Sequence, residues 1–493
     1  MSGSRQTSDE TADRQDRHTV APGSISSALP MALPPNRLVP LIVAVALFME
    51  NMDSTIIATS LPAIADDIGT NPLALKLAIT SYLLSLAVFI PASGWVADRF
   101  GTRTVFRAAI AVFMIGSLGC AFSGSLTDFV IARIVQGIGG AMMTPVGRMV
   151  LVRTISKREL VGAMAWVSVP ALIGPVIGPP VGGFLTTYAS WHWIFIINIP
   201  IGLIGIVLVT RYIENIRVSE PAPFDFTGMA IVSIGIAGVA FGFSVLGANF
   251  LPWQFAIGLI AVGAIAITIY VWYGRRVPNP VIDLSLLRLA TFRASVGGGF
   301  LFRLGMGSLS FLLPLLLQVG FGMTPFQSGL ITFATALGAI TMKLGVARVL
   351  RRFGFRSVLV VNALISAAFL SVCALFTIAT PVALIFGLLA IGGFFRSLQF
   401  TCINTIAFAE VEPEQVGRAT ALMAVAQQLS VSTGVALGAL IVETSVSLKL
   451  EPTISADDFA IAFVITAAIS ACAALVFARL PKDAGAELAN RNP

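Results

Sequence analysis

Charge is what this sequence lacks most. Lys, Arg, Asp and Glu make up 11% of its residues, where a soluble domain carries roughly 25%. So few charges cannot cover a water-facing surface, and an ordinary soluble fold is excluded. Histidine is nearly missing, with only His18 and His192, so a histidine-based metal site is excluded as well. The four cysteines, Cys120, Cys373, Cys402 and Cys472, all fall in apolar segments. They predict small core residues, with neither a disulfide framework nor a metal cluster. No Walker A loop is present, which argues against ATP drive, and no soluble-enzyme motif or cofactor fingerprint occurs. Residues 1–37 are polar and lack the apolar h-region of a secretory signal; they predict a disordered cytoplasmic tail.

Long apolar runs are abundant instead. Stretches of about 20 residues, enough to cross a bilayer, recur from Leu38 almost to the C-terminus. The expected class is an all-α polytopic membrane protein with fourteen spans. A β-barrel would show alternating segments of about ten residues. Lys and Arg orient the chain. Of 31, four lie inside spans (Arg133, Arg303, Lys343, Arg396) and two in loops of one side (Lys76, Lys449). The rest belong to the other side, which is therefore the cytoplasm, with both termini. The net charge of +7 follows from this topology and from attraction to anionic lipid, so no nucleic-acid partner is implied.

A short repeat divides the chain. Asp98-Arg-Phe-Gly-Thr-Arg103 follows the second span, and Arg351-Arg-Phe-Gly-Phe-Arg356 follows the tenth. Two six-span halves joined directly would set these turns about 200 residues apart. The actual separation is longer by roughly one helical hairpin. The expected plan is a tail at 1–37, a six-helix half at 38–213, a linker and two extra helices at 214–274, a second half at 275–480 and a tail at 481–493. Arg351 at the position of Asp98 predicts that the halves are electrostatically unequal.

With these features in view, the sequence resembles the major facilitator superfamily, specifically its fourteen-span drug:proton antiporter branch. Five stretches carry the resemblance: MDSTIIATSLPAI (Met52–Ile64), GWVADRFGTR (Gly94–Arg103), RIVQGIGGA (Arg133–Ala141), LIGPVIGPPVGG (Leu172–Gly183) and WHWIFIINIPIG (Trp191–Gly202). Two departures stand out: Thr102 replaces a usual basic residue, and Pro170 stands where glycine is common. The resemblance implies a proton-coupled exporter of amphiphilic drugs, working as a monomer in the cell membrane. It implies proton coupling at Asp53 and Arg133. It also implies a cytoplasmic gate at Gly94, Asp98, Arg99, Gly101 and Arg103, with Arg351 and Arg352 in the second half. Gly174, Pro175, Gly178, Pro179, Gly182 and Gly183 form the stretch associated with exporters.

The residues support a reading of their own. An ionisable group at the bilayer centre costs at least about 2.5–3.5 kcal/mol and is a functional candidate by default. Six qualify: Glu50, Asp53, Arg133, Arg303, Lys343 and Arg396. Asp53 stands as far along its span from Leu38 as Arg133 does from Arg148, about 22 Å at 1.5 Å per residue. Shared depth permits contact, either as a proton site or as a static ion pair. Glu50 shares a helix face with Asp53 and is a second proton or substrate candidate. Arg303 and Arg396 predict a taste for anionic or zwitterionic amphiphiles, while Lys343 is close enough to the cytoplasm to snorkel. Gln136, Gln318, Gln399, Asn404, Gln427 and Gln428 are expected polar contacts in the cavity, with Trp166, Phe311, Phe394 and Phe395 as candidate apolar lining. Gly174, Gly178 and Gly182 recur every four residues on one face, a seam for close helix approach. Two other functions fit the same spans: proton-linked export of an endogenous anionic metabolite, and a non-transporting receptor or scaffold.

Overall fold

The computed structural model describes residues 35–155, 159–220, 223–246, 252–343, 345–449 and 453–489. All regular structure among them is helical, with no strand. The expected tail at 1–37 falls outside the described residues except for its last three. The expected tail at 481–493 is described to 489, ending in a short 3-10 turn, Glu487–Ala489.

Among the described residues, fourteen long helices run in sequence. The first six are α1 (Pro35–Ile56), α2 (Lys76–Phe100), α3 (Thr102–Ala121), α4 (Leu126–Thr154), α5 (Leu160–Tyr188) and α6 (Asn198–Tyr212). Then come α7 (Phe226–Val245) and α8 (Trp253–Gly274). The last six are α9 (Ala290–Leu315), α10 (Pro325–Lys343), α11 (Phe355–Val372), α12 (Val382–Ile406), α13 (Val416–Ser447) and α14 (Ala456–Ala471). By length and composition, twelve spans among the described residues are able to cross a membrane. α10 and the short helix Val346–Phe353 add a thirteenth as a pair bent by 62°. The remaining long helix, α5, has several side chains outside the described residues.

Local chemistry sets many helix ends. Ser125 caps α4 by accepting from Asp128 N, Asp225 caps α7 through Gly228 N, and Ser455 with Asp458 forms a capping box on α14. Each such cap is worth about 1 kcal/mol. Between α2 and α3 the chain turns at Gly101, whose φ of 92° is open to glycine and strained for other residues. Gly354 makes the same turn before α11. α10 is described as far as Lys343. Arg348, Arg351 and Arg352 make the next helix strongly amphipathic.

Packing yields two bundles. In the first, α1 lies on α5, and α4 on α2 and α3; in the second, α9 lies on α13 and α10 on α12. The bundles meet through α2 with α13 and α5 with α10. α7 and α8 pack on each other, and α7 also touches α2 and α13, so the pair flanks both bundles. The outer face of α8 exposes Val262, Ile265, Ile269 and Trp272. Apolar exposure on that scale is an interaction surface, and on a long apolar helix its partner is lipid.

Candidate functional site

The first bundle buries a charged cluster. Asp53 of α1 and Arg133 of α4 are 0% and 1% exposed, and Arg133 Nη1 lies 2.7 Å from Asp53 Oδ2. The other carboxylate oxygen accepts from Gln136 Nε2 at 2.8 Å and from Asn198 Nδ2 at 3.0 Å. Ser117 accepts from both amides, at 2.7 and 3.1 Å, and Gln136 Oε1 accepts from Arg133 at 2.6 Å. Tyr82 places its ring 4.2 Å beneath the guanidinium. Four helices, α1, α3, α4 and α6, thus converge on one carboxylate. Gln136 was expected in the cavity; as residue i+3 to Arg133 it faces the same way, and it belongs to this cluster.

Between the bundles lies a cavity of about 760 Å³. From the first bundle Glu50, Tyr82 and Arg133 reach its wall; from the second come Lys343, Arg396 and Asn404. Glu50 accepts from Thr144 Oγ1 at 2.7 Å, so one helical turn separates a carboxylate in the cavity from the enclosed Asp53. Phe311, Gln427 and Gln428 also line the wall as expected.

Other expected lining residues lie elsewhere. Arg303 is fully buried behind the wall and donates to Asn404 Oδ1 at 2.8 Å. Gln399 bonds Asn362 and the Leu359 carbonyl inside the second bundle. Gln318 donates to the Thr59 carbonyl at 3.0 Å, joining the bundles at one end. Phe395 stacks on Phe369, with Phe394 edge-on to it. Trp166 is 58% exposed and faces outward. Spacing placed these residues in spans without fixing which way each span is turned.

The end opposite the arginine-rich loops, here the far end, is where the bundles are bonded together. Besides Gln318 and Thr59, Phe326 N donates to Thr187 at 3.1 Å. Lys76, expected in a loop, is the first residue of α2 and is 0% exposed, 2.6 Å from Glu443 of α13. Its ammonium also donates to the Leu246 carbonyl at the end of α7. The sequence placed neither residue in a functional contact, because both sit at span edges. Removing one partner of a buried pair costs about 3–5 kcal/mol, while replacing both by apolar groups is often neutral. Lys76→Met and Glu443→Met are each expected to loosen the far end, and the double variant to restore it. The check is a cysteine-free background with Ser54→Cys, labelled by an impermeant thiol reagent from the far side. Each single variant should label at least about tenfold faster, and unchanged rates in both would show that the pair holds nothing shut.

The glycines of α5 form a close-packed seam. A side chain at Gly174 would meet α1 backbone at Phe48 and Met52, one at Gly178 would overlap Thr55, and one at Gly182 the Ile56 carbonyl. Gly183 and Gly329 abut α10 and α5 backbone in turn, which brings the bundles together near Pro325. Pro175 and Pro179 line the cavity.

At the basic end, Asp98 pairs with Arg153 of α4. Thr102, where a basic residue is usual, is buried, and its backbone N–H bonds the Ile216 carbonyl at 3.1 Å. Asn215 fills the space beside Gly101 and accepts from Thr104 N. Arg99 is exposed, and Arg103 is partly buried with its Nε unpartnered. A side chain at Gly94 would find Met149 at an ordinary 3.9 Å, so packing there does not demand glycine. Arg351 and Arg352 are exposed. Between α8 and α9, burial raises the Asp283 carboxyl, but bonds from Ser285 and Arg418 outweigh it and hold it below its ordinary value.

A polytopic bundle in two halves around a central cavity that charged side chains reach is the architecture of a membrane transporter. The Major Facilitator Superfamily profile matches residues 43–227 and 296–492, and the chain belongs to that superfamily of transporters. It is 37% identical over 452 residues to a Salmonella paratyphi A protein named "Putative multidrug resistance protein MdtD", covering 90% of this chain and 94% of that one. The same identity and coverage hold for the protein of that name from Salmonella typhimurium. In fold it is similar to the D-xylose-proton symporter (TM-score 0.64, 16% identity, 91% of this chain and 98% of that one). It is also similar to the human organic anion transporter MFSD10 (TETRAN) (TM-score 0.59, 15% identity, 90% and 100%). At such identities these two structures speak to the fold alone.

Proposed function

We propose that this transporter exports amphiphilic compounds in exchange for protons, by alternating access. The observation that carries the reading is the enclosed carboxylate Asp53, whose partner Arg133 forms part of the cavity wall. A proton on Asp53 removes the charge that Arg133 answers. Proton occupancy is thereby tied to the wall that a substrate touches. Glu50 is the second proton or substrate group. With the far end bonded shut, the cavity takes substrate from the basic end; rocking of the halves then opens it on the other side.

Fourteen spans are part of the proposal, with α5 and the bent α10 completing the twelve. The superfamily profile skips 228–295, the stretch holding α7 and α8, which supports a six–two–six plan with the pair inserted at 214–274. Both termini then lie in the cytoplasm, the membrane is the cell membrane, and the working unit is a monomer. Asp98 and Arg153, with the turn at Gly101, form a cytoplasmic gate. The Gly174–Gly183 seam seals the outer half against proton leak. The name of the MdtD relatives supports drugs or toxic compounds as cargo.

The test is transport by purified protein in proteoliposomes. An acid-inside gradient should drive accumulation of amphiphilic dyes, and a protonophore should abolish it. Failure of the gradient to drive any member of a broad substrate panel would end the proposal.

A further inference from the structure

The second bundle presents the cavity with a wall of cationic and donor groups. Arg396 of α12 and Lys343 of α10 both reach the cavity, and among the described residues neither makes an ion pair or a hydrogen bond. The two helices are in register, since Ser397 Oγ donates to the Ala339 carbonyl at 3.0 Å and Gly393 abuts Thr335. That register puts Lys343 roughly one turn nearer the basic end than Arg396. Asn404, farther along α12, lines the same wall. Its oxygen is taken by Arg303, which leaves its NH2 group as the donor available to the cavity. Arg303 is itself 0% exposed, and its Nε and Nη1 have no partner.

The opposite wall does not balance this charge. The Asp53 charge is matched by Arg133, which leaves Glu50 as the one unmatched carboxylate among the cavity-lining residues. Two cations in the wall and a third behind it face one acid. A cationic substrate would meet like charge at Arg396 and Lys343, with Glu50 as its one unmatched counter-charge in the cavity. A carboxylate, sulfate or sulfonate would meet donors at three heights along one wall, with charge-assisted bonds about twice the strength of neutral ones.

We infer that the Arg396–Lys343–Asn404 wall is an anion site, which selects amphiphiles bearing an acidic head group. Lys343 receives the head from the basic end, and Arg396 holds it at mid-depth. Arg303 is a positioning residue that fixes the Asn404 amide. The inference rests on the export reading for its direction of travel, but the site itself is defined by equilibrium binding.

Two probes with one tail isolate the head group: radiolabelled dodecyl sulfate and dodecyltrimethylammonium. Binding is measured on the protein in nanodiscs, with empty nanodiscs subtracted. The wild type should bind the sulfate at least about tenfold more tightly than the ammonium. Arg396→Gln should lose about tenfold or more for the sulfate while ammonium binding holds or rises. Arg396→Lys should stay within about threefold of wild type, and Lys343→Gln should repeat the head-group-selective loss if Arg396→Gln fails to fold. A wild type that prefers the ammonium overturns the inference. So does unchanged sulfate affinity in Arg396→Gln, or an equal loss of both probes that Arg396→Lys does not mend. Because no gradient is applied, a protein that selects the sulfate here and fails to transport in proteoliposomes would overturn the export reading alone.

Discussion

Asp53→Asn is expected to abolish gradient-driven transport while substrate still binds. The reason is specific to the bonding around this residue. Oδ2 accepts from Arg133, and Oδ1 accepts from Gln136 and Asn198. An asparagine amide has one acceptor and one NH2 group, so either orientation turns a donor toward donors. Gln136 cannot flip to relieve this without losing its Arg133 bond. Arg133 would remain buried without its counter-charge, a loss of about 3–5 kcal/mol in stability. The proton would also lose its binding group. Asp53→Glu keeps a titrating carboxylate and should recover part of the activity. Accumulation under an imposed pH gradient is measured beside substrate exchange at equal pH. Wild-type accumulation by Asp53→Asn would remove Asp53 from coupling.

Gly178→Leu should insert normally and export nothing. The variant keeps α5 apolar, so membrane insertion is unaffected, but the new side chain has no room. Even a Cβ at Gly178 overlaps Thr55, and the next glycine along the seam faces the Ile56 carbonyl. Thr55 is not free to swing away, since its hydroxyl bonds the Asn51 and Met52 carbonyls. Overpacking of this kind costs about 1–3 kcal/mol even for extra methylenes, and here it separates two backbones. Gly178→Ala should retain partial export, because one methyl asks less of the seam. Membrane yield, proton leak and export are compared in the three proteins. Full export by Gly178→Leu with normal yield would refute the seal.

Much of this arrangement was legible in the sequence, and the limits have physical causes. The shared depth of Asp53 and Arg133, which permits their contact, was legible because a spanning helix rises by a fixed amount per residue and its ends are marked by charge. The superfamily followed from short motifs whose order and side matched the spans. Rotation about each helix axis was not legible. Gln399, Phe394 and Trp166 lie in spans as expected, yet none faces the cavity. Gln136 carried a usable signal in its i+3 spacing from Arg133. The Lys76–Glu443 pair carried none, since its members sit at span edges and are 367 residues apart in sequence.

The unequal charge of the cavity walls has an electrical consequence. Exchange of one proton for a monovalent cation moves no net charge across the membrane. Exchange of one proton for a monoanion moves the equivalent of two positive charges inward. Each is worth about 2.3 kcal/mol per 100 mV, so an interior-negative potential would add about twice that to the drive for acidic cargo and nothing for basic cargo. With the charge of the passenger chosen by Arg396 and Lys343, the same protein would run on voltage for one class of compound and on acidity alone for the other.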